Sequence, residues 1–447
     1  MSATQLVCAP RPPAELLIRG AWVLDPAGDL DEPRDVLVRR GVLAELGAPG
    51  SLEAPAGIET VDGAGRHLFP AFVDTHVHLR TPGQQHKEDL VTGTRAAAAG
   101  GYCAVVAMPN TSPVIDEPDR LRGLLAQAAR DACVPVGTLA AVSVGQQGEH
   151  LTAMSALRDA GALGFTDDGR PVVSAGLLRL ALRYQQLCGG IVALHEEDPS
   201  LSAGGVMHEG AVSLALGLDG IPSISESTMI ARDALIAEHE GARVHFQHLS
   251  ARSSVDALAA ARARGAHVSG EVTPHHLLLT DEAVRGLDTS FKMNPPLRTE
   301  NDRAALIDAL RDGTIECIST DHAPHARDEK AVPFGEAPMG TTGLESAFAV
   351  LHTELVIPGT LALETLVQRL VAGARLFGLD TPRIAPGSRA DLCLVDLGAR
   401  WRIGDAGYES RSANCCFAGR EVSGRVLLTV AGGAIAYRER AFALTAA

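Results

Sequence analysis

Two histidines one residue apart, His76 and His78, end the apolar run Phe72-Val73-Asp74-Thr75-His76-Val77-His78-Leu79-Arg80. On a β-strand, residues i and i+2 share a face, so both imidazoles would converge on one point. Neutral imidazole suits zinc, and a centre that keeps one position open binds a water and lowers its pKa to about 7. A His-x-His pair supplies only half of a ligand set. The remainder has to come from the same end of neighbouring strands.

Four further segments offer such residues: Gly164-Phe-Thr-Asp-Asp-Gly169, Ala193-Leu-His-Glu-Glu-Asp198, Val244-His-Phe-Gln-His248 and Ile318-Ser-Thr-Asp-His-Ala-Pro-His325. Taken singly, His195 and His248 read as hydrogen-bonded core histidines, Asp167-Asp168-Gly169 as a turn, and Asp321 as a cap. Each, however, follows an apolar strand-like run, which argues for one shared rim. Four histidines and two carboxylates exceed one tetrahedral ion and match two ions about 3.5–4 Å apart, bridged by a carboxylate and a hydroxide. Such a pair activates water at neutral pH and polarises a carbonyl oxygen, while a neighbouring carboxylate carries the proton. The implied chemistry is hydrolysis, or its reverse, at an amide-like carbon. Strand parity does not choose between Asp167 and Asp168 as the bridge. Arg80 lies two residues past His78 and offers a bidentate fork for a substrate carboxylate, the ordinary alternative being a surface salt bridge.

Residues that meet at one rim need a repeating scaffold. Strands are predicted at 68–74, 102–108, 134–140, 162–166, 191–194, 243–247, 266–272 and 315–320, with helices at 119–131, 177–187, 228–240 and 253–264 among the connections. Eight strands alternating with helices imply a (β/α)8 TIM-type barrel over residues 67–382, a fold whose catalytic groups lie where strands end. The chain has neither a G-x-G-x-x-G nor a Walker motif, which weighs against a doubly wound nucleotide-binding sheet. Short alternating segments broken by Gly, Pro and Asp recur at both ends, at 15–19, 21–24, 35–39 and 42–46 and again at 390–396, 426–430 and 434–437. They imply one small β-sandwich domain formed from both chain termini, residues 1–66 and 383–447.

Composition narrows the partners. A net charge of −15 leaves no excess of Lys and Arg for nucleic acid or an anionic membrane, so an anionic substrate needs local positive charge. Eight scattered cysteines without a Cys-x-x-Cys pair read as free thiols. Residues 1–13 contain no secretory apolar core, and no run approaches a membrane span, so a cytoplasmic location is expected.

The stretch Val73–Arg80 followed by Thr81-Pro-Gly83 resembles the metal-dependent amidohydrolases, in particular the branch acting on cyclic amides. Met108-Pro-Asn-Thr-Ser-Pro113, Phe165-Thr-Asp-Asp-Gly169, His208-Glu-Gly210, Met293-Asn-Pro-Pro-Leu-Arg298, Asp321-His-Ala-Pro-His325 and Ala337-Pro-Met-Gly340 with Gly343-Leu-Glu345 narrow the resemblance to bacterial dihydroorotases. It implies two zinc ions per subunit, one on His76 and His78 and one on His195 and His248, bridged by Asp168 and a hydroxide. Asp321 would contact the first ion and act as general acid and base. The reaction implied is the reversible cyclisation of N-carbamoyl-L-aspartate to L-dihydroorotate and water, in pyrimidine biosynthesis. Arg80, Asn110 and His325, beside His78, would hold the substrate carboxylate; Asn294 and the Met339–Gly340 backbone would contact the ring.

Many relatives, hydantoinases among them, bridge their metals with a carboxylated lysine. Residues 162–170 contain none, which points to the class with an Asp bridge and away from a hydantoinase, dihydropyrimidinase or allantoinase. A catalytically silent scaffold for aspartate transcarbamoylase would have lost ligands that this chain keeps. The resemblance also implies a homodimer and association with a transcarbamoylase. The polar segment 326–335 is expected to form a mobile cover.

Overall fold

The computed structural model describes residues 6–442; residues 1–5 and 443–447, the outermost parts of the expected terminal domain, lie outside the described residues. The middle of the chain contributes eight short strands: β1 (Phe72–Val77), β2 (Tyr102–Ala107), β3 (Val136–Thr138), β4 (Gly164–Phe165), β5 (Ile191–Leu194), β6 (Val244–Phe246), β7 (Val268–Val272) and β8 (Cys317–Ile318). Strands β1 to β3 pair in parallel, as do β4 to β8. Parallel bridges Ala140–Phe165 and Val77–His322 join the two runs at both ends, so the pairing returns to its first strand. This is a mixed α/β fold of the TIM-barrel type.

Every residue of β1 and β2 is buried, as expected of parallel strands covered on both faces. The covering helices start where the sequence marks them. Asp89 caps Leu90–Ala99 by accepting from the Thr92 N–H, Pro118 opens Pro118–Asp131, and Thr299 with Asp302 forms a capping box for Glu300–Asp312. Three consecutive alanines, Ala96 to Ala98, bury the first helix closely against its neighbours.

The predicted strand at 68–74 is in fact two. His67–Pro70 pairs with Leu392–Arg402 of the terminal sheet, and β1 begins only at Phe72. Pro70 has no N–H to continue a ladder, so one apolar run serves two sheets. The predicted strand at 162–166 shrinks to two residues because Asp167 turns back to cap the N–H groups of Val142 and Ser143. Between β5 and β6 the chain adds short helices and a parallel pair, Met207–His208 with Gly220–Ile221, which the sequence reading did not contain.

Strands from both chain ends form the second unit. Leu16–Asp25, Leu30–Arg39, Val42–Gly47, Glu59–Asp62 and His67–Pro70 combine with Leu392–Arg402, Glu421–Ala431 and Ala434–Arg438 in one hydrogen-bonded sheet. The segments predicted at 15–19 and 21–24 are a single strand, bulged between Ile18 and Ala21, where Gly20 takes a φ of +62°. Leu16, Ile18, Val36, Val38, Leu68, Leu394 and Val430 share its buried core. The outer strand Val42–Gly47 returns to the far side of the sheet, where the Leu43 N–H donates to the Ser388 carbonyl at 2.9 Å.

The connection between Arg402 and Glu421 leaves this sheet and reaches the barrel. Ser410 donates to Glu88, and Asn414 bonds to the segments that follow β8. Among the described residues, no helix is long and apolar enough to cross a membrane, and the eight cysteines are free thiols.

Candidate metal centre

The candidate ligands emerge at the C-terminal ends of five strands. His76 and His78 close β1, Asp168 follows β4, His195 follows β5, His248 follows β6, and Asp321 follows β8. Of seven non-glycine residues with positive φ among the described residues, three belong to this rim: Arg80 at 53°, His248 at 34° and Asp321 at 47°. Left-handed backbone is unfavourable for these residue types and is held only where the surroundings over-determine it. Here it turns each side chain out of its strand direction and into a common cavity.

Asp168 stands at the centre. Its Oδ1 lies 3.5 Å from His76 Nε2 and 3.7 Å from both His195 Nδ1 and His248 Nε2, and its Oδ2 lies 3.5 Å from His78 Nε2. Asp321 Oδ1 is 3.0 Å from His78 Nε2 and 3.5 Å from His76 Nε2. His195 Nδ1 and His248 Nε2 approach to 2.9 Å. Asp167, by contrast, spends its oxygens on the Val142 and Ser143 N–H groups and the Ser143 hydroxyl, away from the histidines.

Do these residues suit a cation? His76 Nε2 is buried without a hydrogen-bond partner, although its Nδ1 sits 2.7 Å from Glu271 Oε1. An imidazole that gives its proton to a carboxylate on one side presents a lone pair on the other, which is how a histidine is set to bind metal. Four imidazole nitrogens facing two carboxylates form a donor set for divalent ions, and the groups His76–Asp168–His248 and His76–His78–Asp321 each have ligand atoms within one ion's reach. The residues fit the metal that the chemistry requires.

The electrostatics follow. Burial alone would raise the pKa of Asp168, but His76, His195 and His248 outweigh it and hold the carboxyl well below its ordinary range. Burial also opposes ionisation of Asp321, and His76, His78 and His248 again prevail, keeping it a carboxylate. Burial lowers the Arg80 pKa to about 10, short of deprotonation at neutral pH. Burial and the neighbouring Arg80 push His325 down to about 3, so its imidazole is neutral.

A cavity of about 290 Å³ opens above these groups. It is lined by His78, Arg80, Asn110, Asp168, Gly169, His195, His248, Asn294, Asp321, Ala323, His325, Met339 and Gly340; His76 lies beneath it. Arg80 Nε donates to the Pro324 carbonyl at 3.1 Å and Nη2 lies 3.5 Å from His325 Nε2, while His325 Nε2 is 2.9 Å from the Met339 carbonyl. Asn110 reaches inward, placing Oδ1 3.0 Å from His78 Nδ1 and donating from Nδ2 to Asp168 Oδ2 at 3.0 Å. Asn294 donates to Glu197 Oε2 at 2.6 Å, beside His195. Residues of segment 326–335 do not line the cavity, and Lys330 anchors that segment to the carbonyls of Thr289 and Pro338.

Residues 65–254 match the family model described as dihydro-orotase-like, and residues 210–436 match that of the amidohydrolase family. A protein named dihydroorotase from Pelotomaculum thermopropionicum is 44% identical over 427 residues, covering 95% of this chain and 99% of that one. Another from Anaeromyxobacter dehalogenans is 45% identical, covering 95% of this chain and 98% of its own length. The chain belongs to the dihydroorotase family. Among solved structures, the L-hydantoinase of Arthrobacter aurescens superposes with a TM-score of 0.84 at 24% identity, over 94% of this chain and 96% of that one, a likeness of fold. Membership of the dihydroorotase family places the chain among the amidohydrolases, which agrees with the His and Asp clusters at the rim.

Three residues near the site were not singled out by sequence reasoning. Glu271 holds His76 and also meets His245 Nε2 at 3.2 Å; a charged residue inside the buried strand Val-Ser-Gly-Glu-Val was the available signal. Glu197 sits 3.4 Å from His195 Nε2, and its place two residues past His195 was a weaker one. Asn414, far along the chain, carried no local signal at all.

Proposed function

We propose that the protein is a dihydroorotase that interconverts N-carbamoyl-L-aspartate and L-dihydroorotate. The observation that carries this reading is Arg80. It is a buried guanidinium on the cavity wall, and among the described residues it has no carboxylate within salt-bridge distance. Asp321 and Asp168 offset part of the cost of burying this cation from a distance, but it has no direct ion pair, and an anionic ligand in the cavity would supply one. The reacting amide selects the family's chemistry; Arg80 selects a ring that bears a carboxylate. A hydantoin or dihydropyrimidine ring has no such group, and residues 162–170 lack the lysine of those enzymes.

His76 and His78 would hold one zinc ion and His195 and His248 a second, with Asp168 between them. When bound, such ions polarise a carbonyl oxygen and make water nucleophilic at neutral pH. Arg80, His325 and Asn110 orient the substrate carboxylate, and Asn294 with the Met339–Gly340 backbone contacts the ring. Asp321, ionised and 3.0 Å from His78, accepts the proton of the attacking water in hydrolysis and gives it to the ring nitrogen that leaves. In cyclisation the same carboxylate takes the proton from the ureido nitrogen, since one group must serve both directions.

In the same proposal, residues 67–382 form a catalytic (β/α)8 barrel and residues 1–66 with 383–447 a β-sandwich. The closed strand pairing and the shared terminal core support it. A cytoplasmic homodimer that associates with aspartate transcarbamoylase is the assembly expected of this reading.

The test is turnover of purified protein with N-carbamoyl-aspartate, dihydroorotate, hydantoin and allantoin, together with metal analysis. Turnover of the first pair and two zinc ions per chain are expected. Activity confined to hydantoin or allantoin would overturn the substrate assignment.

A further inference from the structure

The wall of the cavity that carries His325 and Gly340 is not held together by the barrel alone. Two segments form it, one following β8 and one fifteen residues later, joined by the parallel bridge His322–Thr341 and by the Ala323 N–H to the Thr341 carbonyl at 2.9 Å. They touch closely: a Cβ placed on Gly340, whose φ is +136°, would lie 2.8 Å from Ala323 Cβ and 3.0 Å from His325 Nε2.

Behind this wall sits Asn414, delivered by the connection that leaves the terminal sheet. Its side chain is buried and is absent from the cavity lining. Oδ1 accepts from the His325 N–H at 3.0 Å, while Nδ2 donates to the carbonyls of Ala323 and Gly340, each at 3.1 Å. The Asn414 carbonyl accepts from the Thr342 N–H at 3.1 Å and from the Thr341 hydroxyl at 3.0 Å. One residue thus reads both segments, and its side-chain amide bonds directly to the backbone of three residues that line the cavity, Ala323, His325 and Gly340.

We propose that Asn414 is a positioning residue that sets the spacing of the His325 and Gly340 walls and thereby the affinity for the substrate carboxylate. The inference rests on the dihydroorotase reading. Asn414 touches none of the candidate metal ligands, so its removal displaces the carboxylate-binding wall while leaving the metal-type groups in place. The buried carbonyls of Ala323 and Gly340 lose their donor, and the glycine allows its peptide to rotate toward a new one.

The experiment is steady-state hydrolysis of dihydroorotate by Asn414→Ala and the milder Asn414→Ser. It is accompanied by zinc content and by inhibition with dihydrouracil, the same ring without the carboxylate. A rise in KM of about tenfold or more is expected for Asn414→Ala, with kcat within about threefold and a smaller rise for Asn414→Ser. Zinc content should match the parent, and the dihydrouracil inhibition constant should rise by clearly less than the KM for dihydroorotate, because that ring meets Gly340 but makes no use of Arg80 and His325. An unchanged KM, an equal weakening of dihydrouracil, or zinc loss in step with KM would overturn the proposal. If Asn414→Ala does not fold, the serine variant decides by the same criteria. A parent protein inactive on dihydroorotate would remove the functional reading and this inference together, an outcome distinct from an active parent with unaffected variants.

Discussion

Of two cavities formed by the described residues, the larger is not the one that gathers the candidate metal ligands. That cavity, about 420 Å³, lies between the helix Leu90–Ala99 and the terminal strands Glu421–Ala431 and Ala434–Arg438. It is lined by five arginines, yet the protein itself answers three of them: Arg425 meets Glu439 at 3.2 Å, Arg438 meets Glu59 at 2.9 Å and Arg402 meets Glu421 at 3.5 Å. The rim cavity is smaller and has one arginine, Arg80, with no carboxylate within salt-bridge distance among the described residues. Volume and charge count therefore do not mark a site. What marks it is converging buried groups with binding capacity to spare, here an Arg80 guanidinium that pairs with no carboxylate and the unpartnered Nε2 of His76.

Substitutions on either side can break or sharpen this contrast. The largest effect is expected from Asp321→Asn, which removes the proposed proton carrier: kcat for dihydroorotate should fall by about 10²–10⁴-fold, whereas Tyr408→Phe in the larger cavity should leave it within about twofold. Near-normal turnover by Asp321→Asn would end the acid–base assignment. Arg80→Met comes next. Loss of a charge-assisted fork should raise KM for dihydroorotate by roughly 10–100-fold, with less effect on kcat, and equal binding of dihydroorotate by parent and variant would show that Arg80 is structural.

The smallest effect belongs to the larger cavity. There Glu345 accepts the N–H groups of Glu409 and Ser410, and burial raises its carboxyl from 4.5 to about 7. A raised folded pKa means that the native protein keeps a proton the unfolded chain releases between those values. The associated stability is fully present below about 4.5 and is lost as pH rises through about 7. Glu345→Gln should flatten this part of the profile, changing the melting-temperature difference between pH 5 and pH 8 by about 2–4 °C with little effect on turnover. An identical slope in parent and variant would place the titration elsewhere.

Much of the rim was legible because the fold converts strand order into proximity. His76, His78, His195, His248 and Asp321 each follow an apolar run, and a parallel barrel brings all such ends to one side whatever their separation in sequence. The choice between Asp167 and Asp168 was not legible from residue pattern. The two-residue strand β4 ends before either, and the turn that follows engages Asp167 with the N–H groups of Val142 and Ser143 and leaves Asp168 facing the histidines. The division at Pro70 was hidden because a single apolar run looks the same whether it feeds one sheet or two. The contacts of Glu271 and Asn414 depend on side-chain direction and on a loop from another unit, which no local spacing encodes.

The position of Asn414 also orders events during synthesis. Every candidate metal ligand has been made by residue 321, whereas the amide that ties the two walls of the cavity together is added only at residue 414. A chain growing from its N-terminus therefore gains the groups that would grip metal some ninety residues before it gains the one that fixes where a carboxylate docks. Competence to hold an ion and competence to recognise a substrate are acquired at different lengths of the same polypeptide.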